Sequence, residues 1–220
     1  MIEVLFKIQP IPSYLISSWV IMLFLIVVLS FIGYRVKHMK IGTKPSKLIG
    51  AAIFLVEFFN DFVRNNVGKM WKFVTPMVMT LGIYIFVANI SGLFGLETPT
   101  RYTAITFPLT LFAVITIQAT GIISRKWRHI KTWFEPLPFM FPINLVGDVT
   151  PLLSMTLRLF GNIASGAMLL TLVYEALGWF APLAAVPLHA LFDIGFGFIQ
   201  AMVFVLLTVI LASLKMEAEE

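Results

Sequence analysis

Five apolar runs, each about the length of a membrane span, punctuate this chain: Ser13–Tyr34, Val74–Leu96, Ala104–Ser124, Thr150–Leu177 and Val186–Leu214. About 20 apolar residues cross the hydrocarbon core of a bilayer as a helix, so the pattern predicts five spanning helices. Pro76 falls in the first turn of the second run, where its missing N–H does no harm. The last two runs are roughly 40 Å long as helices, against a core of about 30 Å. They must tilt strongly or extend beyond the bilayer. The short segment Gly178-Trp-Phe-Ala-Pro182 joins them and predicts an antiparallel hairpin.

Segment Lys47–Lys69 carries a different pattern. Leu48, Ala52, Leu55, Val56, Phe59, Phe62 and Val63 recur at helical spacing, while Glu57, Asn60, Asp61, Arg64 and Asn65 take the other face. This is an amphipathic helix, expected on the membrane surface or against a partner. A sixth span with a buried polar face is the alternative, and its many polar groups make that costly.

Composition agrees with a polytopic, all-α membrane protein. Of 220 residues, 59% are hydrophobic and only 12% charged, against about 25% charged in soluble domains. With no cysteine, thiol catalysis and cysteine-based metal sites are excluded. No glycine-rich phosphate loop ending in lysine is present, and no cofactor or metal site is expected. The net charge of +5 reflects loop placement rather than nucleic-acid binding. Arg35, Lys37, Lys40, Lys44, Lys47, Arg64, Lys69 and Lys72, then Arg125, Lys126, Arg128 and Lys131, then Lys215, all fall on one side of the predicted spans. Only Lys7 and Arg101 fall on the other. The positive-inside rule puts the N-terminus outside and the tail Lys215–Glu220 in the cytoplasm. The first apolar run is too long for a cleaved signal peptide. No internal repeat is visible, which argues against a transporter built of paired halves. The whole chain reads as one membrane domain.

Arg158 is the candidate functional residue. It lies within Pro151-Leu-Leu-Ser-Met-Thr-Leu-Arg-Leu-Phe-Gly-Asn162, with no acid within nine positions on either side. Arginine does not shed its proton, and its charge at the centre of a membrane helix costs on the order of 2.5–3.5 kcal/mol on insertion scales. Asn162, four residues on, shares its face. Gly161, Ser165 and Gly166 lie near or beside that face, where small residues let another helix approach. On the last helix His189, Asp193 and Gln200 form a polar track, with Gly197 on the same stripe. Burial favours a neutral Asp193 unless it is paired. Asp148 lies roughly 15 Å before Arg158 along a helix, and Glu175 roughly 25 Å after it. An acid at each end with a fixed cation between suggests two aqueous vestibules that do not join. The structural alternatives are an arginine bridging helices of this chain, helix–helix hydrogen bonding for His189 and Asp193, and interfacial snorkelling for the two flanking acids.

Leu157-Arg-Leu-Phe-Gly-Asn162 resembles the signature of subunit a of rotary F-type ATP synthases. Glu135-Pro-Leu-Pro-Phe-Met-Phe-Pro-Ile-Asn144, Phe86-Val-Ala-Asn-Ile-Ser-Gly-Leu-Phe-Gly95 and Ile199-Gln-Ala-Met-Val-Phe204 resemble further stretches of that family, in order along the chain. The resemblance implies a stator without a catalytic site of its own. Its tilted hairpin would face a rotating ring of c subunits in a bacterial-type plasma membrane. The b subunits of the peripheral stalk would be direct partners, and the remaining synthase subunits indirect ones. Arg158 would meet the mid-membrane carboxylate of each c subunit, with Asn162 polarising the site and Gln200 facing it. Asp193, Glu175, Asp148 and His189 would serve the two half-channels. Two positions depart from the familiar proton-type pattern. Ala167 follows the glycine where many members have Glu, and Asp193 stands seven before Gln200 where they have His or Glu. That resembles sodium-coupled members, so the coupling ion is H+ or Na+. The alternatives are a stand-alone channel or transporter for an anionic substrate, and a structural membrane anchor.

Overall fold

The computed structural model describes residues 12–39, 45–126, 139 and 141–216, and their regular structure is all helical. Much of the motif stretch Glu135–Asn144 and most of the acidic tail lie outside the described residues. Five helical stretches are long and apolar enough to cross a membrane: Ser13–Lys37, Lys47–Phe94, Thr103–Arg125, Phe141–Ala184 and Pro187–Leu214. We number the helices α1 (Ser13–Lys37), α2 (Lys47–Val67), α3 (Trp71–Ile90), α4 (Thr103–Arg125), α5 (Phe141–Leu177), α6 (Ala181–His189) and α7 (Gly197–Leu214). A π-helical turn, Ala190–Phe196, joins α6 to α7.

Helices α3 and α7 form the centre. Glycines allow their close approach. A Cβ built on Gly82 would sit 2.6 Å from Val205 Cγ2, and one on Gly197 would sit 2.9 Å from Asn89 Cβ. Ile85, Ala88, Leu81 and Phe204 pack there with Met155 and Leu159 of α5. Towards the Lys215 end, Val74, Val78, Val205 and Val209 pack with Phe59 and Val63 of α2. The rest of the apolar surface faces outward: Leu23, Phe24, Ile26 and Val27 of α1 are all exposed. So much exposed apolar area suits lipid rather than water.

The amphipathic helix keeps the expected stripe but covers it with its own chain. Phe59, Val63 and Val67 are buried, while Glu57, Asp61, Arg64 and Asn65 are exposed. Gly68, at φ 55°, turns the backbone, so α2 folds back and brings the Phe59 ring within 3.9 Å of a Cβ built on Gly82. Leu48 and Phe54 remain exposed, so the outer part of the helix keeps an open apolar surface.

Several buried hydroxyls inside the bundle find partners on their own helices, while Thr75 Oγ1 has none among the described residues. Thr110 donates to Thr106 O (2.8 Å), Thr120 to Thr116 O (2.8 Å) and Thr156 to Leu152 O (2.7 Å). Such back-bonding lets threonine sit in an apolar interior. Thr110 and Thr156 also meet across α4 and α5 at 2.5 Å. Buried Arg125 donates through Nη2 to the carbonyl of Leu214, at 3.4 Å. That carbonyl lies at the negative end of the α7 dipole.

The long hairpin is present and longer than expected. Helix α5 starts at Phe141 instead of near Thr150 and has 37 residues, roughly 55 Å. Pro151 does not stop it. The Thr150 hydroxyl donates to Val146 O at 2.7 Å beside the interruption, the kind of local repair that lets membrane helices carry proline. Gly178, at φ 48°, begins the turn, and the arms run antiparallel down to an ion pair between Asp148 and Lys215.

Gly82→Val should destabilise the detergent-purified protein by about 1–3 kcal/mol through overpacking against Val205. Gly161→Ala, where no atom lies within 4 Å of the added Cβ, should leave its thermal unfolding midpoint unchanged. Equal midpoints for the two variants would contradict the close α3–α7 packing.

Candidate functional site: a charged helix face behind a polar cavity

Helix α5 presents two faces with opposite character. Met155, Thr156 and Leu159 are buried against the bundle, and further along Gly166 and Leu170 continue that face. Leu153, Ser154, Leu157, Arg158 and Ser165 point outward and are exposed. Ser165 thus flanks the arginine face, while Gly166 turns inward with Phe192 3.3 Å from its would-be Cβ. The open space at Gly161 leaves the outer face flat beside Arg158. Asn162 lies one turn on in the same helix, and its side chain is outside the described part. Among the described residues Asp193 is hydrogen-bonded to His189 and Asp148 is ion-paired with Lys215, and no carboxylate there pairs with Arg158.

The inward face of α5 closes one wall of a cavity of about 230 Å³. Ile163, Gly166, Ala167 and Leu170 form that wall. Asn89 and Gly92, from the end of α3, and Glu97 and Arg101, from the following loop, form a second. His189, Asp193, Gly197 and Gln200 form the third. The small Ala167 and the three glycines leave the space open. Asp193 lies in the π-helical turn, a wide turn of the kind often found at functional sites, and His189, Asp193 and Gln200 open onto the same cavity.

A hydrogen-bonded chain crosses between the hairpin arms. Tyr174 Oη lies 2.6 Å from His189 Nε2, and His189 Nδ1 lies 2.6 Å from Asp193 Oδ2. An ionised Asp193 only accepts, so Nδ1 carries the proton in that state and Nε2 accepts from the tyrosine hydroxyl. Asn89 is buried and bridges two elements. Its amide reaches Gly197 O at 3.4 Å, and its Oδ1 accepts from Thr100 at 2.6 Å. Gln200 is 3% exposed at the inner end. At the other end Glu97 accepts hydrogen bonds from Ser13 of α1 and from Tyr102. These two bonds, with Arg101 adding a smaller attraction, hold the Glu97 carboxyl below its ordinary range. The bond to Glu97 raises Tyr102 in turn.

The sequence-derived candidates therefore separate. His189, Asp193 and Gln200 gather at the cavity. Arg158 stands on the opposite face of α5. Asp148 pairs with Lys215 at the far end of the hairpin. Glu175 is exposed and outside the cavity wall. Sequence reasoning missed Asn89, Glu97, Arg101 and Tyr174. Only Asn89 carried a signal, as an amide inside the Phe86–Gly95 motif.

Asn89→Ala should cost about 1–3 kcal/mol, because Thr100 and the Gly197 carbonyl lose a buried partner. Thermal unfolding of the purified protein measures this, and an unchanged midpoint would contradict the bridging role.

A family model described as ATP synthase A chain matches residues 15–213. The chain is 31% identical to ATP synthase subunit a of Moorella thermoacetica, over 93% of this chain and 92% of that protein. It is 31% identical to the sodium-ion-specific ATP synthase subunit a of Propionigenium modestum, over 91% of this chain and 73% of that protein. It is 30% identical to ATP synthase subunit a of Enterococcus hirae, over 91% of each.

Proposed function

Because the chain belongs to the ATP synthase A chain family, we propose that it is the ion-translocating stator subunit of an F-type ATP synthase, with Arg158 as the fixed charge that faces the c-subunit ring. One observation carries this reading. Arg158 is exposed on an apolar helix face and has no carboxylate partner among the described residues. Its counter-ion then comes from another chain, the mid-membrane carboxylate of a passing c subunit. Arg158 attracts that carboxylate once it has given up its ion and gains little from a neutral, loaded one. Ion release is favoured as a site arrives, and a fixed cation between the vestibules opposes a direct leak. A unit charge crossing 100 mV carries about 2.3 kcal/mol, so several ions pass per ATP.

The lysine and arginine bias supports an outside N-terminus and a cytoplasmic Lys215 end. The cavity lined by Glu97, His189, Asp193 and Gln200 then opens towards the outside and serves as the outer half-channel. Asp193 is its ion acceptor, oriented by His189. Asp148, at the Lys215 end, belongs to the cytoplasmic half-channel, and Asn162 polarises the site beside Arg158. Glu175 stands at the outer end of the hairpin without contributing to the cavity wall. The exposed polar face of α2 suits the b subunits of the peripheral stalk. The coupling ion is H+ or Na+. Its identity rests with the c-ring carboxylate and is read from whether ATP hydrolysis by the intact complex responds to sodium at alkaline pH.

In the assembled complex Arg158→Ala should abolish ATP-driven ion pumping into vesicles while the subunits still co-purify. Arg158→Lys should restore little, because lysine lacks the planar fork and neutralises when desolvated. Coupled pumping at the normal rate in the alanine variant would refute the stator role.

Asp193→Asn should slow synthesis driven by ions supplied from outside by about tenfold or more, in the range for loss of a positioned acid–base group. Unchanged rates would leave Asp193 a helix-packing residue.

A further inference from the structure

Glu97 is not part of any apolar run, and nothing in its local sequence marks it. The structure puts it on the wall of the cavity, in the loop between α3 and α4. Two hydroxyls from different parts of the chain hold it there: Ser13, at the first turn of α1, and Tyr102, just before α4. Tyr14 stacks on Tyr102 with centroids 4.3 Å apart and the rings at 21°, so the N-terminal end of α1 is fastened over this loop. A carboxylate that accepts from two hydroxyls is fixed in position and in charge.

The charges lining the cavity make this placement consequential. Glu97, Asp193, Arg101 and His189 are its titratable residues. With both carboxylates ionised and His189 neutral, the lining is net negative by one charge. Without Glu97, Asp193 and Arg101 cancel. We infer that Glu97 is the entry acid of the outer half-channel, a fixed carboxylate at the cavity mouth that concentrates the coupling cation ahead of Asp193. The inference rests on the stator reading for the direction of flow. A cleft lined by one sign of charge raises local ion concentration and arrival rates, and salt screens the effect. Because the hydrogen bonds from Ser13 and Tyr102 depress the Glu97 carboxyl, its charge survives to lower outside pH than that of an ordinary glutamate.

The test uses the whole complex in liposomes, with synthesis driven by an imposed ion gradient and the outer ion concentration varied as proton or as sodium. Glu97→Gln should raise the apparent KM for the outer ion about fivefold at low ionic strength, leave the maximal rate unchanged, and approach the parent protein in high salt. Glu97→Asp should stay near the parent, and Tyr102→Phe should shift KM in the same direction but less. An unchanged KM in Glu97→Gln, or a fall in maximal rate alone, would overturn the entry role. If Glu97→Gln fails to assemble, an unchanged KM in Tyr102→Phe overturns it instead. Arg158→Ala in the same preparation reports on the stator reading separately, since loss of the Glu97 effect leaves coupled synthesis intact.

Discussion

A guanidinium that cannot give up its proton, set in an apolar helix, has to be answered by an anion or by water. The rest of this structure follows from that constraint. Asp148, the acid nearest to Arg158 before it along the chain, is bound to Lys215. Asp193 is bound to His189. These two acids are engaged elsewhere, and the arginine stands on a face of α5 that the described bundle does not cover. Leu153 and Leu157 beside it are exposed as well, so the charge sits in a surface that a second apolar body can seal. Sealing such a surface would lower the effective dielectric and strengthen the attraction between Arg158 and any carboxylate carried by that body.

Much of the interior obeys the companion rule that polar groups in lipid be satisfied locally, with Thr75 Oγ1 and Arg125 Nε left without a partner among the described residues. Threonines on α4, α5 and α7 return their hydroxyls to carbonyls four residues back. Asn89 spans from Thr100 to the Gly197 carbonyl. Gly82 and Gly197 draw α3 and α7 together, and that tight pair is the frame on which α5 leans through Met155 and Leu159. The frame loosens where the π-helical turn and the small residues Gly166 and Ala167 stand opposite each other. That gap is the cavity. On its wall His189 is bonded to Asp193, while Glu97 and Asn89 are held by groups outside the lining or by backbone.

Spans were legible because hydropathy alone sets them. Each expected run contains a helix, and the 3.6-residue period of Lys47–Lys69 gave the right face for α2. The errors lie where a local rule was overridden. The fourth apolar run predicts a span from about Thr150, yet the helix begins at Phe141 and runs through Pro151, with the Thr150 hydroxyl bonded beside the break. The stripe through His189, Asp193 and Gln200 was drawn on an ideal helix, whereas Asp193 lies in a π turn. Arg158 announced itself, since a charge amid leucines has few bland explanations. Glu97 and Tyr174 did not. Glu97 acquires its meaning from Ser13, 84 positions away, and Tyr174 from a histidine on the opposite arm of the hairpin. Local sequence holds no record of such pairings.

One helix separates the two halves of the site, and this bears on how an ion must travel. Ile163, on the cavity wall, is five residues from Arg158, roughly 7.5 Å along the axis of α5. An ion at the inner end of the cavity is therefore close to the arginine in height but lies behind the helix that carries it. It cannot run down the axis past Arg158 without meeting the positive charge. On the proposed stator reading, the way out is sideways, between α5 and α7, where Gln200 lines the cavity. On that reading, a cation leaving by this route emerges beside Arg158, where the carboxylate of a second chain would stand. The same backbone thus holds Arg158 on one face and the cavity wall on the other, and on the same reading their offset keeps the entry path from becoming a continuous pore.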